Sequence, residues 1–390
     1  MKEINNIEWL HGSEETLKER PIVPFVEEVI EELDELSKAL MKDPQSRLYP
    51  DVVTFAFFCR RGNLLKLKEQ YASSAIRLGW GIVFHIAPSN VPVNFAYTFV
   101  AGLLAGNTNV VRVSQKQFPQ VDIIIKHMHA CALQRVAVVR YLHESNANEV
   151  FSAACDVRVI WGGDATIATI RQNAIPPRAF DICFADRYSI AAINSDELNT
   201  DKLNSENLKQ LAERFYNDTY LFDQNACSAP HLVVWTGNHV EDAKKLFWDA
   251  VQHVAEQKYQ FQDVMAVDKL TALYKQSCAM PTSEEQTKNN ILRRVEIAEL
   301  SADIDSFRCA GGYFTEYTAS SLDEIAPIVN KKYQTLAYFG FEKQELEDFV
   351  LRNRLIGIDR IVPFGETTAF SLTWDGMNLI ERMSRIIDIL

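Results

Sequence analysis

The period of apolar and polar positions changes repeatedly along the chain, and each change marks an element. Gly81-Ile-Val-Phe-His-Ile-Ala87 is an almost continuous apolar run, the pattern of a strand buried on both faces. Pro88-Ser-Asn90 makes a turn, and Pro92 suits the first position of a helix, where no N–H is needed. Phe95, Phe99, Leu103 and Leu104 give that helix an apolar side, and Gly106-Asn107 end it. Thr108 to Val113 is a second strand. Strand, turn, helix, glycine stop and strand make a βαβ unit, right-handed by default. Its first turn lies at the carboxyl end of a strand, where open α/β sheets bind ligands.

The alternation continues. Residues 119–134 predict a helix, Val136 to Tyr141 a strand, and Asn146 to Ala154 a helix. Asn146 and Glu149 have the spacing of a capping box. Val157 to Trp161 predicts a strand that ends in Gly162-Gly-Asp164, followed by a helix over 165–173. Phe180 to Phe184 and Ser189 to Ile193 are further strands. Alternation from 79 to 195 points to one doubly wound α/β domain.

Residues 1–75 predict mainly helix. From Pro24, the residues Phe25, Val26, Val29, Ile30, Leu33, Leu36 and Leu40 form an apolar stripe against an acidic face, until Asp43-Pro44 stops it. Beyond the doubly wound region, a helix over 206–220 leads through a polar turn into the apolar run Leu232 to Trp235. Helices are predicted at 239–258, 263–277, 284–299, 322–331 and 342–353, with strands at Tyr313–Tyr317 and Thr335–Phe339. This is a second α/β domain. The segment from Asp359 onward is rich in turn signals and aromatics and ends in a helix. The expected division is 1–190 for the N-terminal helices and first domain, 191–358 for the second, and 359–390 as a return segment at the domain junction.

Composition narrows the function more than the fold. The chain has 390 residues, enough for two or three cores, and 47% hydrophobic with 24% charged content fits a soluble globular protein. A net charge of −12 argues against nucleic-acid binding, which wants a basic face, but leaves room for an anionic small ligand. Val91 to Ala105 is too short an apolar stretch to span a bilayer, and no apolar signal segment opens the chain. Seven cysteines, at 59, 131, 155, 183, 227, 278 and 309, form no CxxC and no Cys/His metal spacing, so no metal is expected. The expectation is a reduced, cytoplasmic protein without a membrane span.

The candidate chemistry centres on Tyr220 to Trp235. Cys227 sits at a helix-to-strand junction between Ala226 and Ser228, residues too small to cover its sulfur. A nucleophilic thiol needs that access and a setting that favours thiolate. The other reading is a cysteine packed in a core, as free cysteines often are. Asn90 fits a helix cap or a polar site residue. Gly162-Gly163 fits a backbone turn that lets a phosphate or a nicotinamide approach, and equally a plain tight turn. His85, inside a strand, is expected to be a hydrogen-bonded core residue.

These motifs together resemble the aldehyde dehydrogenase superfamily. The resemblance rests on Ile86-Ala-Pro-Ser-Asn-Val-Pro92, Ala105-Gly-Asn-Thr-Asn-Val-Val-Arg-Val-Ser114 and Gln224-Asn-Ala-Cys227, in that order. Ser89-Asn-Val-Pro92, Trp161-Gly-Gly-Asp164, and Arg360-Ile-Val-Pro-Phe-Gly365 with Trp374-Asp-Gly376 look like its LuxC acyl-CoA reductase branch. The match covers about residues 75 to 390. It implies an aldehyde-dehydrogenase-like fold, with a doubly wound cofactor domain and a second α/β catalytic domain. It implies a covalent thioester on Cys227 and an oxyanion hole from Asn90 and the Cys227 N–H. Pro88, Arg112, Ser114, Gln115, Gly162 and Gly163 fall at its cofactor positions.

Departures from the superfamily refine that expectation. Its hydrolytic members carry a Glu-Leu-Gly-Gly stretch before the cysteine. Here Asp181-Ile-Cys-Phe-Ala-Asp-Arg-Tyr188 has no Glu, and only Asp186 could stand in as base. Without that base water is poorly activated against a thioester, which favours acyl exchange with a thiol. The ribose-contact segment of the superfamily is replaced near Arg308-Cys-Ala-Gly-Gly312. Gln115 is not acidic, which permits a 2′-phosphate, with Arg112 or Lys116 to attract it. NADPH is therefore expected, with NADH as the alternative. The substrate would be an acyl-CoA or an acyl-carrier thioester, supplied by an acyl-activating enzyme, and the resemblance implies a homo-oligomer. Two rival readings are a hydrolytic NAD(P)-dependent aldehyde dehydrogenase and a non-catalytic subunit of an acyl-activating complex. The motifs assign no role to Arg360, Glu366 or Trp374.

Overall fold

Buried parallel strands organise the chain into two sheets in a computed structural model that describes residues 2–131, 133–198, 204–285 and 287–390. One compact unit comprises the residues up to Asp186 together with Phe370–Leu390, and the other is Arg187–Ala369.

The first unit contains β1 (Ile7–His11), β2 (Ile76–Gly79), β3 (Ile82–Ile86), β4 (Thr108–Arg112), β5 (Val136–Tyr141), β6 (Val157–Trp161) and β7 (Phe180–Phe184). Its main sheet runs β1-β5-β4-β3-β6-β7. All neighbours are parallel except β1, which lies antiparallel to β5. Nearly every residue of β4, β5 and β6 is buried, which explains their unbroken apolar sequences. The chain runs from β3 out to β4 and β5 on one side, then crosses to β6 and β7 on the other. The gap between β3 and β6 is therefore a topological switch point.

Several expectations shift here. Residues 7–11 form an edge strand within the segment expected to be mainly helical. The first long helix starts at Glu27 rather than Pro24. Phe25 takes a left-handed φ of 54° and donates its N–H to Leu104, so the chain turns before the helix begins. The helical stripe itself is as expected: Val29, Ile30, Leu33, Leu36 and Leu40 are all buried. Each such side chain stabilises the fold by about 1.5–3 kcal/mol. The helix after β3 spans Asn94–Leu104, leaving Pro92 in the preceding turn. Asn146 does not cap its helix. Its Oδ1 accepts from the Asn5 N–H (3.0 Å) and its amide donates to the Glu3 carbonyl (3.0 Å), so a tertiary contact wins over the local one.

The second unit contains β8 (Tyr188–Asn194), β9 (Pro230–Thr236), β10 (Thr282–Glu285), β11 (Arg293–Ile297), β12 (Tyr313–Thr318), β13 (Tyr333–Phe339) and β14 (Arg360–Pro363). The order is β10-β11-β12-β9-β8-β13-β14, parallel throughout except for β10. Three expectations change. Ser189–Ile193 belongs to this sheet, so the division falls at 186/187 rather than 190/191. The described residues of 284–299 are not a helix: they hold the end of β10, a turn and β11, in which Val295 and Ile297 point inward in the period-two pattern of a strand. Pairing of β14 with β13 keeps residues through Ala369 in the second unit, which splits the expected return segment 359–390.

Glu316, on β12, is wholly buried within this sheet. Its Oε2 accepts from the indole N–H groups of Trp235 and Trp248, both at 2.8 Å, and its Oε1 from Arg294 Nε at 2.6 Å. Nearby, the buried Lys244 pairs with Glu296 (2.6 Å) and Glu241 (3.0 Å).

Residues 370–390 return to the first unit. They form the hairpin β15 (Thr373–Trp374) and β16 (Met377–Asn378), a four-residue helix, and β17 (Ser384–Ile387), which pairs antiparallel with β2. The expected terminal helix is thus mostly strand. Trp374 packs in an aromatic cluster, 5.5 Å from Phe370 and 6.4 Å from Trp161 between ring centroids.

Candidate active site

In the second unit, the helix Ser205–Thr219 and a short 3-10 turn deliver the chain to Asp223 and Gln224. Both take left-handed φ values, 51° and 57°. Two successive non-glycine residues in that region need firm tethers. Gln224 provides them and is itself buried. Its amide donates to the carbonyls of Pro230 (3.0 Å) and Tyr313 (3.2 Å), and its Oε1 accepts the N–H groups of Gly312 (2.6 Å) and Tyr313 (3.1 Å). The Asp223 carboxylate accepts from the Tyr259 hydroxyl at 2.7 Å. The glutamine of the Gln-x-x-Cys pattern is therefore the clamp of the turn.

Cys227 follows, half-buried, ahead of the amino end of β9. Its carbonyl accepts from Ser189 Oγ (2.7 Å), and that oxygen accepts in turn from the Thr335 N–H (3.1 Å). None of the seven cysteines forms a disulfide. Burial pushes up the thiols of Cys59, Cys131, Cys183 and Cys309, and that of Cys155 to about 12, which makes them poor nucleophiles at neutral pH.

Beside this turn lies a strap over residues 365–369. The Arg360 guanidinium donates to the carbonyls of Thr367 (2.7 Å), Glu366 (2.8 Å) and Ala369 (2.6 Å). Asp218 holds the same strap from the helix side. It accepts from the N–H groups of Gly365 (2.7 Å) and Thr367 (3.1 Å) and from Thr367 Oγ1 (2.8 Å). Sequence reasoning found none of Ser189, Asp218 or Arg360 as site residues. The available signals were a carboxylate among the buried positions Phe215, Tyr216 and Thr219, and an arginine opening an apolar strand.

Burial raises Asp218 from the ordinary 3.8 to about 6, against the pull of its three hydrogen bonds. A carboxyl whose folded-state pKa is raised contributes stability that is present below about pH 4 and lost as pH rises through about 6. Between pH 4 and 7 the wild type should therefore lose up to roughly 3 kcal/mol relative to Asp218→Asn, which cannot titrate. Thermal melts of both proteins across that range check this, and parallel curves would refute it.

In the first unit, the expected cofactor residues follow three adjacent strands. Pro88 and Asn90 lie in the turn after β3, with Asn90 exposed. Arg112 ends β4, with Ser114 and Gln115 just beyond. Gly162 and Gly163 follow β6. The turns after β3 and β6 flank the switch point. Arg112 Nε is buried without a hydrogen-bond partner, and its guanidinium lies 5.1 Å from the centre of the Tyr141 ring. The Gln115 amide donates to the Tyr141 carbonyl, and Ser114 Oγ accepts from the Lys116 N–H (3.1 Å). Gly163 stands at the amino end of the helix Asp164–Arg171. A Cβ there would meet nothing within 4 Å and its φ is an ordinary −66°, so the fold itself does not require glycine. An orphaned arginine nitrogen and an open glycine at a helix amino end fit an anionic dinucleotide.

Other motif residues prove structural. His85 is buried between Thr98 Oγ1 (2.8 Å) and Asn109 Oδ1 (2.9 Å), and burial pulls it down to about 4, so it is neutral, as expected of a core histidine. Asn107 ties Gly81 to Met383. Asp181 is taken up by Arg158 (2.7 Å) and Arg171 (3.1 Å), and Asp186, the other carboxylate of that segment, is half-buried. Among the described residues no cluster of His, Cys, Asp or Glu could hold a metal ion, and no helix is long and apolar enough to cross a membrane.

The fold is that of the aldehyde dehydrogenases. A 1-pyrroline-5-carboxylate dehydrogenase from Thermus, solved with bound NAD, superposes with a TM-score of 0.64 at 12% identity, covering 93% of this chain and 81% of that one. Lactaldehyde dehydrogenase from Escherichia coli gives 0.65 at 11% identity, covering 92% and 85%. Within that fold, the chain belongs to the acyl-CoA reductase (LuxC) family, whose model matches residues 34–386. Among its relatives is a long-chain acyl-protein thioester reductase of Photorhabdus luminescens, 22% identical over 355 residues. That match covers 83% of this chain and 70% of the relative. The same enzyme of Vibrio harveyi is 21% identical over 327 residues, covering 79% and 64%.

Proposed function

We propose that this protein reduces an acyl thioester to the aldehyde through an acyl-enzyme on Cys227. The observation that carries the reading is the Gln224-clamped turn, which holds the half-buried Cys227 just ahead of β9. The Cys227 thiolate attacks the acyl carbonyl. Asn90 and the Cys227 N–H hold the negative charge on oxygen, each such donor being worth about 3–4 kcal/mol. The bond to the departing thiol breaks, CoA leaves as thiolate, and the acyl group stays on Cys227. When bound, the reduced nicotinamide supplies the hydride that takes this thioester to the aldehyde level. Collapse of the resulting hemithioacetal breaks the bond to Cys227, and aldehyde and thiolate are released. The net reaction consumes one acyl-CoA, one NADPH and one proton.

Pro88, Arg112, Ser114, Gln115, Gly162 and Gly163 would hold the cofactor, with Arg112 supporting NADPH over NADH. With Asp181 engaged by two arginines, the segment that carries the hydrolytic base in related folds offers only Asp186, which favours thiol exchange over hydrolysis. An acyl-protein thioester is the alternative donor, after the name of the relatives. A partner that activates the acyl group, a homo-oligomeric state and a cytoplasmic location complete the reading.

A stopped assay of the purified protein with NADPH and a panel of acyl-CoAs tests it. Aldehyde and free CoA should appear in equal amounts. Acid formed from a free aldehyde and NAD(P), with no turnover of any acyl-CoA, would replace this reading with the hydrolytic one.

A further inference from the structure

We propose that the outer face of the helix Val264–Ala279 is a self-docking surface, on which a second copy of this chain packs antiparallel about a two-fold axis near Thr271. This rests on the homo-oligomeric state proposed above and adds the surface that forms it. Val264, Val267, Leu270 and Tyr274 are 59%, 63%, 39% and 62% exposed. Single exposed apolar side chains are ordinary, but four on one helix face make a contiguous patch, and such patches mark interaction sites. At about 3.6 residues per turn, Leu270 and Tyr274 run along one edge of the face, Asp268 and Lys275 along the other, and Val264, Val267 and Thr271 lie between.

The helix is a fixed platform. On its inner side Lys269 Nζ donates to the carbonyls of Asn290 (2.7 Å) and Ile291 (3.0 Å), and Leu273 packs with Val295 and Tyr313. Gln276 Oε1 accepts from the Tyr313 hydroxyl (2.7 Å). Tyr313 is also the residue whose N–H and carbonyl Gln224 holds, so the helix and the nucleophile turn are tied to one strand. A helix tied down on one side presents the other without the cost of ordering it on docking.

The charges on the face match those of a second copy. Asp268 and Lys275 are the two exposed charges of the helix. They share an edge and have opposite sign, and the midpoints of the Asp268–Lys275 and Leu270–Tyr274 spacings both fall within one residue of Thr271. A two-fold axis perpendicular to the plane of two antiparallel helices sets like edge against like edge and reverses position along the helix. Asp268 then meets the partner's Lys275, Lys275 meets the partner's Asp268, and Leu270 meets the partner's Tyr274, with Val264 and Val267 in the seam. A parallel two-fold pair would instead set the charged edge of one copy against the Leu270–Tyr274 edge of the other. The chain carries a net charge of −12, which holds copies apart over most of the surface. A face that is apolar at its centre and neutral in sum is where that repulsion is weakest.

Sedimentation equilibrium of the full chain from about 1 to about 100 µM reads the association. The wild type should be an oligomer of even number, and Val267→Asp, at an exposed position that the fold does not pack, should halve its mass. Asp268→Lys sets two lysines against each other twice per pair, and Lys275→Asp does the same with two aspartates, so each should weaken association about tenfold. The double reversal, Asp268→Lys with Lys275→Asp, should return it to within about threefold of the wild type, the signature of reciprocal contact across a two-fold axis. An oligomeric wild type whose mass is unchanged by Val267→Asp overturns the surface and leaves the homo-oligomeric reading standing. A wild type that is monomeric at every concentration overturns both and leaves the face to a different protein. A double reversal as weak as the single ones overturns the antiparallel pairing.

Discussion

Cys227→Ala should abolish thioester reduction and leave the fold standing. The reaction as proposed makes one bond to this sulfur and later breaks it. The loss should be on the order of 10⁴-fold or more, the scale seen when a covalent nucleophile is removed. The structural cost should be small. The side chain is half-buried, and the strained residues 223 and 224 are tethered by the Gln224 amide. A change at such a position is usually worth within about 0.5 kcal/mol. Acyl-CoA turnover and the melting temperature of the variant should therefore separate cleanly. Cys278→Ala, on an exposed helical face, is the control and should keep full activity. Normal turnover by the Cys227 variant would remove the acyl-enzyme altogether.

The largest loss of stability is expected at Glu316. Glu316→Leu leaves the Arg294 guanidinium without its carboxylate and two buried indole N–H groups without an acceptor. Breaking one side of a buried ion pair destabilises by about 3–5 kcal/mol. Each orphaned donor adds to this, though not additively. For a unit of this size, about 2–4 °C of melting temperature accompany each kcal/mol, so the second unit should melt on the order of 10 °C lower. Replacing the pair together, Glu316→Leu with Arg294→Met, should recover much of the loss, because the cost lies in the uncompensated charge rather than in the missing pair. A single-variant shift below about 2 °C would show that water or a rearranged partner satisfies Arg294.

The strands of the first sheet were legible because parallel strands buried on both faces leave continuous apolar runs, as Gly81–Ala87 and Val157–Trp161 do. Their grouping was harder to read. Ser189–Ile193 looks like the next strand of the same alternation, yet its partners are β9 and β13, the second more than 140 residues away. Residues 284–299 were misread because their Glu, Gln and Lys content suits a helix, while only the short run Arg293–Ile297 carries the alternation that pairs with Tyr313–Glu316. At the site, Cys227 and its glutamine were visible as a local pattern. Asp218 and Ser189 were not, since Asp218 acts on Gly365, 147 positions on, and Ser189 on Thr335, 146 positions on. Contacts of that span leave no periodic trace.

The interrupted path of the first unit bears on how the protein is made. Residues 187–369 are continuous, whereas the first unit lacks residues 370–390 until the second unit has been made. Strand β2 then has no β17, the Asn107 amide no Met383 carbonyl, and Phe58, Tyr97 and Trp161 no Phe370 or Trp374. The first sheet is thus laid down before the second unit, yet the residues that complete its packing follow that unit.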